Sequence, residues 1–157
     1  IIVVGLNIVK EILRMPNYGM ISIPQSKYEI FIKNKDKQIE FTNKYQKRVK
    51  RIKIDDRMII YIKDIRKWIL SGTITSAAKN IIKSKWSDDI ADYIYGVNLN
   101  IDKQLDESNA IDASYIAPSL EYLKKWLPYH WELAFYESMH ILSSRDFKLI
   151  EAEMNRG

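Results

Sequence analysis

The chain has 157 residues, 46% hydrophobic and 29% charged, with a net charge of +5; this is enough for one real core and excludes a disordered or membrane-embedded chain. Cysteine is absent, which excludes disulfides and thiolate metal sites and fits a reducing compartment. No apolar run approaches the roughly 18 residues that span a bilayer, and the start Ile1-Ile2-Val3-Val4 lacks the basic flank of a signal peptide, so residues 1–157 are expected to form a single cytoplasmic domain with no membrane partner.

Ile1 to Asn7 reads as a strand, and Ile8 to Met15 as a short helix stopped by Pro16 and the Asn17-Tyr18-Gly19 turn. Met20 to Ile23 resumes extended structure. Tyr28, Ile30 and Ile32 then alternate with Glu29, Phe31 and Lys33, and a polar turn from Asn34 to Lys37 leads into Ile39-Glu40-Phe41. That pattern predicts a hairpin. Between Asn43 and Lys53 stand Lys44, Lys47, Arg48, Lys50, Arg51 and Lys53, with no acidic residue among them. Charge concentrated in this way attracts polyanions, so a nucleic-acid face is preferred over an ordinary solvated helix.

Met58 to Ile62 is an unbroken apolar run suited to a buried central strand, and Trp68 to Thr75 follows as its neighbour. Gly72 marks a bulge there, or a place where another backbone or a ligand comes close. Tyr93, Tyr95, Val97, Leu99 and Ile101 share one face of a period-2 segment. Ile116, Leu120, Leu123 and Leu127 are spaced as a helical stripe between Pro118 and Pro128, which predicts a helix from about Pro118 to Trp126. Ser143 and Asp146 read as a cap before Phe147, Ile150 and Met154, the apolar face of a closing helix. The fold class is α+β: a short-stranded sheet that curls into a barrel flanked by short α-helices.

Several of these segments carry a resemblance. Ile52 to Ile62 resembles the part of EVE domains in which a basic helix runs into a Gly-Asp turn and a strand ending in Tyr. Leu70 to Ser76 resembles their next strand, Asp92 to Leu99 their Tyr-Pro-Tyr-Arg strand, and Trp126 to Trp131 with Ser144 to Glu151 their closing segment and helix. Asp55 stands where the family has Gly, Ile94 where it has Pro and Gly96 where it has Arg. The family's first Trp-Gly-Val-Pro strand corresponds to Tyr18 to Pro24 or lies nearer Ile39 to Thr42; the first register is preferred. The resemblance implies a PUA-like barrel which, in related EVE and YTH domains, holds an extruded and often modified base in an aromatic-lined pocket.

Holding a base outside its stack requires aromatic faces, polar groups for its edge and cations for the backbone. The six cations from Lys44 to Lys53 are the backbone candidates. Tyr18, from its place in the resemblance, Ser71 and Gly72, from the strand of close approach, and Trp131, from the closing segment, are the pocket candidates. Tyr45, Trp86, Trp126 and Tyr129 are further aromatics outside the core stripes, and Thr73, Asn98 and Asn100 are polar groups on strands. The expected function is a non-catalytic domain that binds DNA or RNA without cofactor or metal. The alternatives are a small metal-dependent nucleic-acid enzyme and a basic protein-interaction module. His130 and His140 have no Cys or carboxylate cluster to complete a zinc site, and no phosphate loop or hydrolase motif occurs. For the enzyme, Asp88, Asp89 and Asp92, or Asp146 with Lys148, would have to gather a metal; an exposed turn and a helix cap explain them better.

Overall fold

The computed structural model describes residues 5, 15–86, 93–126 and 130–156. The expected opening strand and first helix lie outside them, apart from Gly5, which is helical, and Met15. Eight strands form one sheet: β1 Tyr18–Ile23, β2 Gln38–Thr42, β3 Arg57–Ile62, β4 Lys67–Ile74, β5 Lys79–Asn80, β6 Tyr93–Gln104, β7 Ile111–Asp112 and β8 Met139–Leu142. They run in the order β2-β6-β4-β3-β1-β8, with β5 added to β6 and β7 to β4. The sheet is strongly curled into a half-barrel, and the helices are short, except for α5 at the close of the chain: α1 Gln25–Lys33, α2 Gln46–Val49, α3 Ala113–Ile116, α4 Trp131–Ala134 and α5 Ser144–Met154.

β3 is the centre, flanked by β1 in parallel and β4 antiparallel. Its run Met58 to Ile62 is buried throughout, as an uninterrupted apolar stretch must be when neighbours lie on both edges and side chains cover both faces. Tyr61, Trp68 and Phe135 pack within the core with ring centroids 5.0 to 5.9 Å apart, and the Trp68 indole N–H points at the Met20 sulfur, 3.1 Å away.

Two expectations are corrected. Tyr28 to Lys33 is not the first arm of a hairpin but the body of α1. Pro24 occupies its N-cap with φ −67°, and its carbonyl accepts the N–H groups of Lys27 and Tyr28. Tyr28 and Phe31, three residues apart, supply the buried face, whereas Tyr28, Ile30 and Ile32 in the same short run also fit period 2. The Lys37 ammonium folds back over the last turn, donating to the carbonyls of Ile32 and Asn34 at 2.5 and 2.6 Å, where cations are favoured. β2 pairs with β6 instead. Likewise the stretch from Pro118 to Trp126 is not one helix. α3 gives way to 3₁₀ turns at Ala117–Ser119 and Glu121–Leu123, because Pro118 has no N–H to donate and its ring obstructs the preceding turn. The apolar stripe is nevertheless real, since Ile116, Leu120 and Leu123 are buried.

The cap of α5 forms as expected, the Asp146 N–H donating to the Ser143 hydroxyl at 3.1 Å. Gly72 marks both a bulge and a close approach. The β4–β6 register shifts between Ser71 and Gly72, and a Cβ there would lie 2.6 Å from the Asn100 carbonyl oxygen and 2.7 Å from Leu99 Cγ. Backbone cannot yield as a flexible side chain does. Gly72→Ala is therefore expected to lower stability by about 1 to 3 kcal/mol, read as a reduced urea midpoint at unchanged slope.

Candidate nucleic-acid interface

The basic segment folds as a 3₁₀ turn, Asn43–Tyr45, running into α2. Tyr45, Val49 and Ile52 are buried at spacings of four and three, the stripe of a helix lying on a core. Their burial forces Lys47, Arg48, Lys50 and Arg51 outward, and these four and Lys53 are all exposed. Lys44 differs, being paired with Glu137 at 2.9 Å. That carboxylate also accepts the Tyr45 hydroxyl at 2.5 Å, and the two bonds hold Glu137 below the usual carboxylate range. Among the described residues none of the other five forms an ion pair. Arg48 instead donates to the Met139 carbonyl at 2.9 Å, fastening α2 to β8.

Beside this face opens a cavity of about 240 Å³, walled by Tyr18, Arg48 and Arg51, with Met58, Met139 and Ile141 giving apolar surface. Asn17, Ile52 and Asp56 complete it. Asp56 is 2% exposed, and its carboxylate accepts the backbone N–H of Asn17 at 3.0 Å and of Lys53 at 2.9 Å. The preceding Asp55 has φ 77°, the left-handed region that Gly enters freely and Asp tolerates better than most residues. This is the position where the resemblance expects Gly. Tyr18 leans on Phe147 of α5, ring centroids 4.8 Å apart, so one side of its ring is fixed by packing. At this size, just below the roughly 300 Å³ where drug-sized pockets begin, the cavity suits one flat ring with its charged substituents held at the arginine rim.

Of the four pocket candidates, Tyr18 alone lines this cavity. Ser71 is fully buried within the sheet and Gly72 lies against the β6 backbone, while Trp131 opens α4, edge-on to Phe135 at 5.9 Å. The structure does not bring these three to Tyr18. Among the other aromatics, Tyr45 is buried, as is Trp86, which packs edge-on to Tyr93 at 5.8 Å; Trp126 is exposed, and Tyr129 lies outside the described residues. Thr73 and Asn100 both bond Asp102. Asn17, Asp56, Met58, Met139 and Ile141 were not among the sequence candidates. The Asp55-Asp56 pair after a basic helix was the available signal for one of them.

Among the described residues no group of three His, Asp or Glu side chains is placed to hold a metal. Asp88, Asp89 and Asp92 lie outside that set. Asp146 is 1% exposed and occupied, accepting the N–H groups of Glu121 and Tyr122 at 3.0 and 2.9 Å. No helix among these residues is long and apolar enough to cross a membrane.

Solved structures share this architecture. The Mmi1 YTH domain superposes with a TM-score of 0.65 at 11% identity, over 90% of this chain and 76% of that one. A complex described as YTH domain-containing protein mmi1 and RNA gives 0.62 at 9%, over 88% and 82%. A hypothetical protein from Leishmania major gives 0.57 at 12%, over 90% and 96%. The fold is that of a YTH domain. No family model matches the chain, and no curated protein sequence matches it.

His140, 3% exposed, closes the far side of β8. Its Nε2 faces the Glu137 carbonyl at 2.6 Å, which can only accept, so Nε2 carries the proton and Nδ1 accepts from the Tyr122 hydroxyl at 2.6 Å. Burial pushes the His140 pKa down. The unfolded chain therefore takes up this proton first, from about pH 6.5 downward, and stability present above that pH is lost as pH falls towards the depressed folded value. Thermal melts from pH 7.5 to 5.5 should show a declining midpoint that is flatter in His140→Gln, whatever that variant's absolute stability.

Proposed function

We propose that this domain is a non-catalytic reader of single-stranded nucleic acid, with RNA the preferred partner. The observation that carries the reading is the opening of an arginine-rimmed cavity with one aromatic wall residue, Tyr18, directly onto a face of five exposed cations without acidic partners among the described residues. Phosphates run along Lys47, Lys50 and Lys53, and one base leaves the stack to lie against Tyr18, its sugar-phosphate held by Arg48 and Arg51. A duplex keeps its bases stacked, so the strand must be single or locally opened. The RNA complexes of Mmi1 YTH domains, which share the fold, support RNA over DNA. The resemblance to EVE domains supports a modified base as the one that is held.

The test separates backbone from base. Replacing Lys47, Arg48, Lys50 and Arg51 together by Gln should weaken binding to every single-stranded sequence and reduce the log–log salt slope by about 0.7 for each lost phosphate contact. An affinity and slope equal to wild type in a folded variant would refute the assignment. Tyr18→Leu keeps apolar packing on Phe147 but removes the stacking face. It should cost about 1 to 3 kcal/mol of binding, one to two factors of ten in Kd, with the salt slope unchanged; a loss confined to stability would take Tyr18 out of the site. Parallel titrations of RNA and DNA oligonucleotides of one sequence check the preference.

A further inference from the structure

A second cavity, of about 300 Å³, lies at the opposite end of β3 and is of opposite electrostatic character. Ile62 at the end of that strand, Ile69, Leu105 and Ile32 of α1 give it an apolar floor. Around the rim stand three carboxylates, Glu29, Asp106 and Glu107, against the single ammonium of Lys33, in a chain whose net charge is +5. A hydrogen bond from Gln25 to Glu107, 3.2 Å, closes one end. Tyr28 forms part of the wall. It is 8% exposed, and its hydroxyl is enclosed beside the Gln104 side chain, another residue of the wall.

We propose that this groove takes the lysine or arginine side chain of a basic protein segment. Such a side chain matches each feature separately. Its methylene stem covers Ile32, Ile62, Ile69 and Leu105, as long cationic side chains do on apolar surface, while its cationic head reaches the carboxylate rim. A phosphate-bearing strand is repelled by the same rim. The groove thus gives the domain a second partner class, on a surface separate from the nucleic-acid face and independent of that reading.

The probe is a short peptide carrying three lysines, titrated by NMR up to millimolar concentration beside a counterpart with norleucine in place of lysine. The lysine peptide should bind saturably, weaken as salt rises and shift resonances around Tyr28 and Leu105, with the norleucine peptide about tenfold weaker or worse. Asp106→Asn with Glu107→Gln, both exposed and neutralised without change of shape, should lose about tenfold in peptide affinity, since bonds between charged groups are the stronger ones. RNA binding of the double variant should equal wild type, which keeps this test distinct from that of the nucleic-acid face. Equal affinity for the two peptides, or no loss in the double variant, would overturn the proposal.

Discussion

The Asp56 carboxylate is the constraint on which the cationic face and its cavity depend. It is buried and yet fully engaged, taking the Asn17 N–H just before β1 and the Lys53 N–H just after α2, while its own carbonyl accepts from Ile74 at the end of β4. Three stretches far apart in sequence are thereby fixed to one point. The parallel register of β1 on β3, Tyr18 opposite Arg57, closes a long loop whose entropy opposes it, and the carboxylate holds the end where that register begins. The same bonds place Tyr18 beside Arg48 and Arg51. Removing the carboxylate would leave two N–H groups without acceptors, each costing about 1 to 3 kcal/mol if they stay buried.

Asp146 plays the same part on another irregular stretch. From the first turn of α5 it accepts two successive N–H groups, of Glu121 and Tyr122, and Arg145 lies against it at 3.2 Å. A continuous helix there would have directed those N–H groups to its own carbonyls; the Pro118 break frees them and Asp146 receives them. With no cysteine in the chain to form disulfides, buried carboxylates aimed at backbone N–H groups supply local order that packing alone leaves loose. Such groups specify geometry because partial satisfaction is so unfavourable.

How legible each part was in the sequence follows from how local its cause is. β3 was readable because its apolar run has no alternative to burial, and α5 because Ser143, Asp146 and the Phe147, Ile150, Met154 spacing agree. The cationic face was readable too, since Lys47, Arg48, Lys50 and Arg51 complement the buried Tyr45, Val49 and Ile52. α1 was misread because a few alternating apolar residues satisfy two periods at once, and Pro24, which decides between them, also suits a turn. The cavity was largely hidden. Its walls come from four separated segments, around Asn17, Arg48, Asp56 and Met139, and only the curl of the sheet brings them together. The same curl puts Ser71 and Gly72 inside, where strand position alone could not say which face they would share.

Met58 borders the cationic cavity and Ile62 the acidic one, so β3 separates the two by four residue steps, about 13 Å. The Debye length at physiological salt is about 8 Å. Each end therefore presents its own sign to an approaching ligand, and neither cancels the other although the chain as a whole is basic. A polyanion is attracted towards the α2 end and turned away from the α1 end. As salt falls and the Debye length grows beyond about 13 Å, both fields reach further and overlap, and the acidic end subtracts from the attraction. The separation along one buried strand is thus what lets a small fold keep two surfaces of opposite sign distinct.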